Sequence, residues 1–402
     1  MRVMVTYEAR LLKTRDGAIH SRGGPLELDR YLQVFDEVIV FARVEEVAQE
    51  KLDKFRLDGP NVKFFQLPYY VGPWQFLRQY DKIGTLAKQA LQQEVTAFIL
   101  RVPGTVGSIL WRQLMKNKIP YGVEVVGDPW GALAPGCVKT ILRPALRRIA
   151  KRQLVRQCYH ASVASYVTEY TLQKRYPPGG WSTHYSSVEL PNEIIADESI
   201  ISDRMKRFEA KTKSHEPLRV CYAGTLAQLY KAPDVLIKAV ANCIKKGVNL
   251  GLVIIGDGQF RRQLEKLTQK LGIAERVQFM GTLSNEKVFE ELDEADLYVL
   301  PSLTEGLPKT IIEAMARGLP CVGSDVGGIP ELLAVEDLVP PGDPHALAQK
   351  IEQIIGNRLR LEMMARRSLK SAHKYSKGKL DQRRRVYYEK LAEITESKRL
   401  PR

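Results

Sequence analysis

The stretch Asp296-Leu297-Tyr298-Val299-Leu300-Pro301-Ser302-Leu303-Thr304-Glu305-Gly306-Leu307-Pro308-Lys309-Thr310-Ile311-Ile312-Glu313-Ala314-Met315-Ala316 reads as a strand, a loop and a helix in succession. Its apolar run ends at Pro301 and a polar turn, the pattern of a buried strand that delivers a loop. Pro308 suits a first helical position, and Ile311, Ile312, Met315 and Leu319 recur at helical spacing. One carboxylate, Glu305, therefore lies in the loop and a second, Glu313, about a turn into the helix. The amides of residues 306 to 310 fall at the helix N-terminus, where donors lack internal partners and the dipole favours an anion. Two carboxylates flank that anion site, roughly 12 Å apart if the spacing is helical throughout. A nucleoside diphosphate sugar has this shape, with hydroxyls at both ends and a diphosphate between.

The same alternation runs through the C-terminal half. Leu218–Tyr222, Leu250–Ile255 and Val277–Met280 read as strands, with helical stretches at 234–246, up to Leu271, and over Glu286–Glu294. Strands separated by helices form βαβ units and a parallel sheet. Ligands of such sheets bind where loops leave the carboxyl ends of the strands. The loops 223–232, 256–258, 281–285 and 303–309 thus share one edge and can converge on one ligand. In the N-terminal half, Arg2–Tyr7, Glu37–Phe41, Val62–Gln66, Ala97–Arg101, Tyr121–Val126 and Ala161–Ala164 are strand candidates between helical stretches. The charged stretch Asp197–Glu216 is poor in apolar residues and reads as a linker. The expected fold class is α/β.

The words around the two glutamates are Glu305-Gly306-Leu307-Pro308, Glu313-Ala314-Met315-Ala316-Arg317-Gly318-Leu319-Pro320-Cys321-Val322, then Gly327-Gly328-Ile329-Pro330-Glu331-Leu332. They resemble the E-x7-E signature of retaining glycosyltransferases of family 4, of the bacterial polysaccharide-biosynthesis type. The resemblance covers nearly the whole C-terminal half and is weak in the first 190 residues. It implies the GT-B fold, two Rossmann-like domains facing across a cleft. Residues 1–196 would form an acceptor-binding domain and 217–372 the nucleotide-sugar-binding domain. A last helix at 373–402 would return to the first domain through Tyr375, Leu380, Val386, Tyr387 and Leu391. The implied activity is that of a hexosyltransferase moving a sugar from a nucleotide-diphosphate donor, a UDP-sugar, to a polysaccharide or lipid-linked saccharide. Retention of configuration, and chemistry without a metal or other cofactor, come with it.

The loop Tyr222-Ala223-Gly224-Thr225-Leu226-Ala227-Gln228-Leu229-Tyr230-Lys231 resembles the family's G-R-L loop, where an Arg and a Lys six positions on clamp the donor diphosphate. Lys231 holds the Lys position, after Gly224, and Thr225 stands at that of the Arg. A threonine offers one hydrogen bond but neither charge nor a bidentate fork. Either another cation takes over, Lys309 being the nearest by motif, or turnover is slow, or the chain only binds. Gly256-Asp257-Gly258 resembles the family's turn near the nucleotide base, and equally a plain strand-to-helix turn. Thr282 and Leu283 match the next loop, which meets the base through backbone groups. Glu305 is expected to hold donor-sugar hydroxyls, with the amides of Gly306, Leu307 and Lys309 helping and Pro308 and Thr310 alongside. Glu313 would accept both ribose hydroxyls.

Gly23-Gly24 is similar to the family's glycine-rich phosphate loop, or is a simple turn. Glu124-Val125-Val126-Gly127-Asp128-Pro129-Trp130 ends a strand where many family members place a His-Gly. Asp128 is there the candidate contact to sugar or acceptor, or a turn residue before proline. Lys231, Glu305 and Asp128 are the candidate catalytic residues. Charge on the departing diphosphate would fall to Lys231 and the helix N-terminus. Asp293-Glu294-Ala295-Asp296 lies at a helix end, not in a loop that could serve a metal. No evident nucleophile supports a double displacement.

With 402 residues, 44% of them hydrophobic, the chain can fill two cores. No run approaches the roughly twenty apolar residues of a membrane span. Met1–Tyr7 reads as a first strand and not a signal peptide. Five scattered cysteines without C-x-x-C spacing argue for reduced thiols in the cytosol. The net charge of +15 is uneven, with seven basic and no acidic residues from Lys139 to Arg156. Leu142, Leu146, Ile149 and Leu154 take the remaining face of this basic amphipathic helix. It can pack by that face, or meet an acidic acceptor or an anionic bilayer at the inner face of the membrane. No helix-turn-helix, zinc-finger or RNA-recognition signature points to nucleic acid. Two other functions compete with transfer. Thr225 and the missing His-Gly motivate a catalytically silent nucleotide-sugar-binding protein, which a turnover assay separates. A UDP-sugar 2-epimerase shares the GT-B fold, but the wording around Glu305 and Glu313 fits it less well.

Overall fold

Parallel pairing organises both halves of the chain. A computed structural model describes residues 1–22, 26–48, 55–94, 97–135, 140–188 and 190–397, so Gly23 and Gly24 lie outside the described residues. The chain divides into two units. One comprises Met1–Gly127, Ala150–Tyr185 and Asp381–Arg402, and the other Asp128–Ile149 and Ser186–Leu380.

The first unit is built on β1 (Arg2–Lys13), β2 (Ile19–Ser21), β3 (Glu37–Glu46), β4 (Val62–Leu67), β5 (Ala97–Val102), β6 (Gly122–Val125), β7 (Val163–Tyr166) and β8 (Trp181–His184). Their order is β4-β3-β1-β5-β6-β7-β8, with β2 folded antiparallel onto β1. The central strands read as unbroken apolar runs because both faces are covered. Val3, Met4, Val5, Val38, Val40, Ile99 and Leu100 are all buried. Glu124, on β6, is a buried carboxylate among them. It accepts from Tyr31 Oη at 2.9 Å, Tyr185 Oη at 3.0 Å, Arg101 Nη1 at 2.7 Å and Tyr388 Oη at 3.2 Å. Burial alone would raise its pKa, but Arg101, Arg30 and the phenols outweigh burial and hold it below the ordinary glutamate value.

The second unit carries β9 (Leu218–Ala223), β10 (Leu250–Ile255), β11 (Val277–Gly281), β12 (Leu297–Leu300), β13 (Cys321–Ser324) and β14 (Leu338–Val339). These run in the order β11-β10-β9-β12-β13-β14, and each neighbouring pair is parallel. The order of connection reverses between β9 and β12, which opens a crevice at their carboxyl ends. The helices Pro233–Lys245, Arg261–Lys270, Asn285–Glu294 and Lys309–Ala316 follow successive strands, as the alternation predicts.

One expectation is corrected, and the packing of the basic helix, left open by the sequence, is observed. The stretch read as a linker is the helix Ser199–Ser214. Its apolar stripe is thin, Ile201, Met205 and Phe208, and the fourth buried member is Arg204. Arg204 replaces a hydrophobe by satisfying helix-end carbonyls: Nη1 donates to Asp293 O and Ala295 O, Nη2 to Leu292 O at 3.3 Å and Arg317 O at 3.0 Å. Burial pulls its pKa down to about 10, so it stays charged at neutral pH. The basic helix spans Arg143–Tyr159, and Lys139 lies outside the described residues. Its apolar face is not packed along its length: Leu154 is buried, while Leu142, Leu146 and Ile149 are exposed, and Ile141 just before them is 97% exposed. Only the last turns meet the unit's interior, through Leu154, Cys158 and the amides of Gln153 and Gln157 on Ser108 Oγ. Among the described residues Cys158, Cys221, Cys243 and Cys321 are buried free thiols. No described helix is long and apolar enough to cross a membrane.

Arg204→Met keeps the stem and removes the donors of four carbonyls. It is expected to cost about 2–4 kcal/mol, read as a lower urea midpoint at unchanged slope.

Candidate functional site

The carboxyl ends of β9, β10 and β11 and the helix after β12 enclose a pocket of about 230 Å³. Gly224, Gly256, Thr282, Leu283, Thr310 and Glu313 line it, all singled out in the sequence and here brought together. The loops hold one another in register. Gly224 N donates to Ile255 O at 2.9 Å, Leu226 N to Asp257 O at 2.9 Å, and Gly256 N to Gly281 O at 2.8 Å. Gly256, at φ +130°, and Gly258, at φ +157°, are required here: a β-carbon would collide with Gly224 O at the first and Ala227 N at the second. Gly258 thus acts in the packing of the loops, outside the pocket wall.

Lys231 and Glu305 form a second constellation. Lys231 Nζ lies 2.9 Å from Glu305 Oε1, and the side chains are only 13% and 10% exposed. Ser302 Oγ donates to the same Oε1 at 2.9 Å. The loop carrying Glu305 is fixed on both flanks, by Leu303 N on Tyr230 O at 2.7 Å and Gly328 N on Gly306 O at 2.7 Å. The helix Lys309–Ala316 follows with Pro308 as its N-cap residue, one place earlier than the first-helical position read from the sequence, and no side chain caps it. Its first-turn amides, beside Gly306 and Leu307, therefore retain their donor capacity. Lys309 is exposed. Burial raises the Glu313 carboxyl above the ordinary glutamate value, while the charges of Lys309 and Lys231 pull it back in part. Both lysines therefore act on the Glu313 carboxyl.

Thr225 is exposed, and its Oγ1 accepts from Ala227 N at 3.1 Å, so it braces its own turn. Asp128 is buried and caps the short helix Pro129–Ala132, accepting from Trp130 N at 3.0 Å. That turn reaches the Glu305 loop, since a β-carbon on Gly131 would collide with Thr304 Oγ1. Asp293 and Asp296 of the helix-end acidic cluster are engaged by Arg317 and Lys211, at 2.6 Å and 2.9 Å.

Sequence reasoning passed over Ser302, Asn285, Ile194, Val288 and Phe289. Asn285, Val288 and Phe289 continue the Gly281 loop into its helix and were within reach of the strand–loop–helix pattern. Ile194 had no such signal. It arrives from a distant segment, held by Arg317 Nη1 on its carbonyl at 2.8 Å and by Ala196 N on Ala316 O at 2.9 Å.

The chain has the GT-B fold. It superposes on sucrose-phosphate synthase from Thermosynechococcus elongatus with a TM-score of 0.72 and 16% identity, covering 98% of this chain and 100% of that one. HepE from Anabaena, solved in complex with UDP and glucose, gives a TM-score of 0.63 at 17% identity over 99% of this chain and 100% of that chain. Residues 203–371 match the family model described as glycosyl transferases group 1. Protein CapJ of Staphylococcus aureus is 26% identical over 330 residues, 81% of this chain and 79% of CapJ. The amylovoran biosynthesis glycosyltransferase AmsK of Erwinia amylovora is 36% identical over 154 residues, 36% of this chain and 38% of AmsK. Glycosyl transfer is thus the activity named by the matching family model and by AmsK, in keeping with the resemblance read from the sequence.

The raised Glu313 carboxyl makes a pH prediction. Binding that needs its carboxylate weakens on acidification at a higher pH than an ordinary glutamate would dictate. The stability linkage has the opposite sign: the folded chain holds this proton more tightly than the unfolded one, so the Glu313 contribution is most favourable in acid and is lost as pH rises through the raised value. UDP titrations across this range should show the early loss, and Glu313→Gln should flatten it.

Proposed function

We propose that this chain is a retaining glycosyltransferase that moves a hexose from a UDP-sugar to a saccharide or lipid-linked saccharide acceptor of polysaccharide assembly. The observation that carries this reading is the arrangement around one helix N-terminus: a pocket ending in Glu313 on one side and the Lys231–Glu305 pair on the other. The UDP and glucose of the HepE complex support the donor class, and the name of AmsK supports the acceptor class.

In this scheme the base and ribose occupy the pocket, with Glu313 accepting from both ribose hydroxyls. The diphosphate meets the first-turn amides, Lys231 and Lys309. Glu305 turns from Lys231 to the hydroxyls of the sugar. The bond between the anomeric carbon and the phosphate oxygen breaks as the acceptor oxygen bonds to the same face. The acceptor proton passes to the departing phosphate oxygen, so atoms and charge balance without a covalent enzyme intermediate. Lys231, Lys309 and the amides meet the developing negative charge and need no metal ion. Lys309 here stands in for the arginine that Thr225 replaces.

Release of UDP from UDP-sugars in the presence of acceptor saccharides tests the reading, and the two glutamates should fail differently. Glu313 holds the ribose equally in ground and transition states, so Glu313→Gln should mainly raise KM for the donor. Glu305 holds the ring that gains positive charge, so Glu305→Gln should mainly lower kcat, by about one to two decades. Unchanged donor kinetics in both variants would overturn the assignment of the site.

A second part of the reading concerns place. Ile141, Leu142, Leu146 and Ile149 are exposed beside Arg148 and Arg152 of the basic helix, a surface suited to the anionic inner leaflet of the cytoplasmic membrane. Arg147 belongs elsewhere: its guanidinium stacks 3.7 Å from the Trp130 ring, and its Nε donates to Trp130 O at 2.7 Å. Co-sedimentation with anionic liposomes should be strong at low salt and fall steeply at high salt. It should weaken when Arg148 and Arg152 become Gln, and again when Leu142 and Leu146 become Ser. Binding indifferent to salt and to both changes would reject this role.

A further inference from the structure

Tyr222 lies on β9, fully buried, and its hydroxyl has no hydrogen-bond partner among the described residues. Most buried phenols here are engaged: Tyr31, Tyr185 and Tyr388 bond Glu124, Tyr166 bonds Tyr176 O at 2.7 Å, and Tyr298 bonds Ala223 O at 3.3 Å. The Tyr222 oxygen sits at the donor site. A β-carbon built on Gly224 would come 2.8 Å from it and 2.7 Å from Lys231 Cδ, so phenol and lysine stem lie together under that glycine. Burial first, then the charge of Glu305 and the neighbouring Tyr230 and Asp234, raises the phenol pKa and keeps its proton in place. An orphan hydroxyl in such a place costs stability, and phenylalanine would fill the same volume without that cost.

The Lys231–Glu305 pair gives the hydroxyl a task. Lys231 has three N–H donors, but a diphosphate that draws its ammonium off Glu305 leaves that carboxylate without its cation at low exposure, which is strongly disfavoured. We infer that Tyr222 is a positioning residue for Glu305: when a diphosphate draws Lys231 away, the phenol O–H turns to donate to the vacated carboxylate oxygen. Ser302 and Tyr222 then hold Glu305 aimed at the sugar. The ligand-free pairing and the loaded pairing each leave Glu305 with two donors, so opening the ion pair does not strand a charge. Asp234 is already paired with Lys238 at 3.1 Å and is not the acceptor.

This inference rests on the reading of the site as a diphosphate-sugar site, but its first test needs no ligand. Melting is compared for the parent, Tyr222→Phe, Lys231→Met and the double variant. In the parent background the loss of an unpartnered hydroxyl should leave Tm unchanged or raise it. With Lys231→Met the hydroxyl should already be bonded to Glu305, so adding Tyr222→Phe should lower Tm by several degrees. Equal effects in both backgrounds overturn the inference, whatever the chain binds. A second arm applies even if Lys231→Met does not fold. Tyr222→Phe should lose about ten- to a hundredfold in UDP affinity and keep its affinity for uridine, which has no diphosphate to part the pair. Equal losses for both ligands, or none, overturn it. A parent chain that binds no UDP condemns the donor-site reading, and the melting cycle still judges Tyr222.

Discussion

In the second unit the chain steps from β9 outward to β11 and then returns across to β12, and that reversal determines where everything else can stand. The loops after β9, β10 and β12 must leave their strands at one edge, on either side of a crevice that no connection crosses. Loops brought so near cannot all carry side chains. Gly256 and Gly258 press on the backbone of 224–227, and Gly327 presses on Glu305 O. The space given up by these β-carbons lets Lys231 and Glu305 meet in one small volume beside Gly224, which lines the pocket with Glu313.

Within that volume the charges are arranged for exchange. A cation and a carboxylate held at 2.9 Å with little exposure neutralise one another, and desolvation offsets much of their attraction. The pair is thus poorly suited as a device for stability. It is well suited to a ligand that offers an anion to the lysine and hydroxyls to the carboxylate, because both partners find replacements in one molecule. Thr225 fits this view. In the proposed scheme, with no arginine fork at Thr225, the diphosphate falls to Lys309 and to Lys231, whose flexible stem can change partner.

Much of this was legible in the sequence, and for definite reasons. The run from Asp296 to Ala316 carries a continuous apolar strand, a proline stop and a helical stripe without interruption, so its strand, loop and helix could be read locally. The loops at 224, 256 and 282 followed from their glycines and from the alternation around them. What could not be read depends on distant partners. The helix Ser199–Ser214 looked like a linker because Arg204 occupies a core position, and only the carbonyls of Leu292, Asp293, Ala295 and Arg317 make an arginine acceptable there. Leu142, Leu146 and Ile149 could be read as packed or as a contact surface, because a helical stripe marks an apolar face without saying what covers it. Tyr222 looked like an ordinary strand aromatic, since a hydroxyl left without a partner is a property of the folded state alone.

The helix Lys309–Ala316 shows how such distant partners shape the site. Its C-terminal end is saturated: Ala196 N takes Ala316 O, Arg204 takes Arg317 O, and Arg317 itself grips Asp293 with Nε at 2.7 Å and Nη2 at 2.6 Å. Two guanidinium groups thus stand at the negative end of the helix dipole. The N-terminal end has no side-chain cap. A helix made stable from one end can leave the other unsatisfied, and the unsatisfied end is the one that points between Glu305 and Glu313. The contacts that anchor Arg317 also bring in Ile194, so the wall of the pocket and the brace of the helix are one set of bonds. Stability is concentrated at the C-terminal end of this helix, and donor capacity is kept at its N-terminal end.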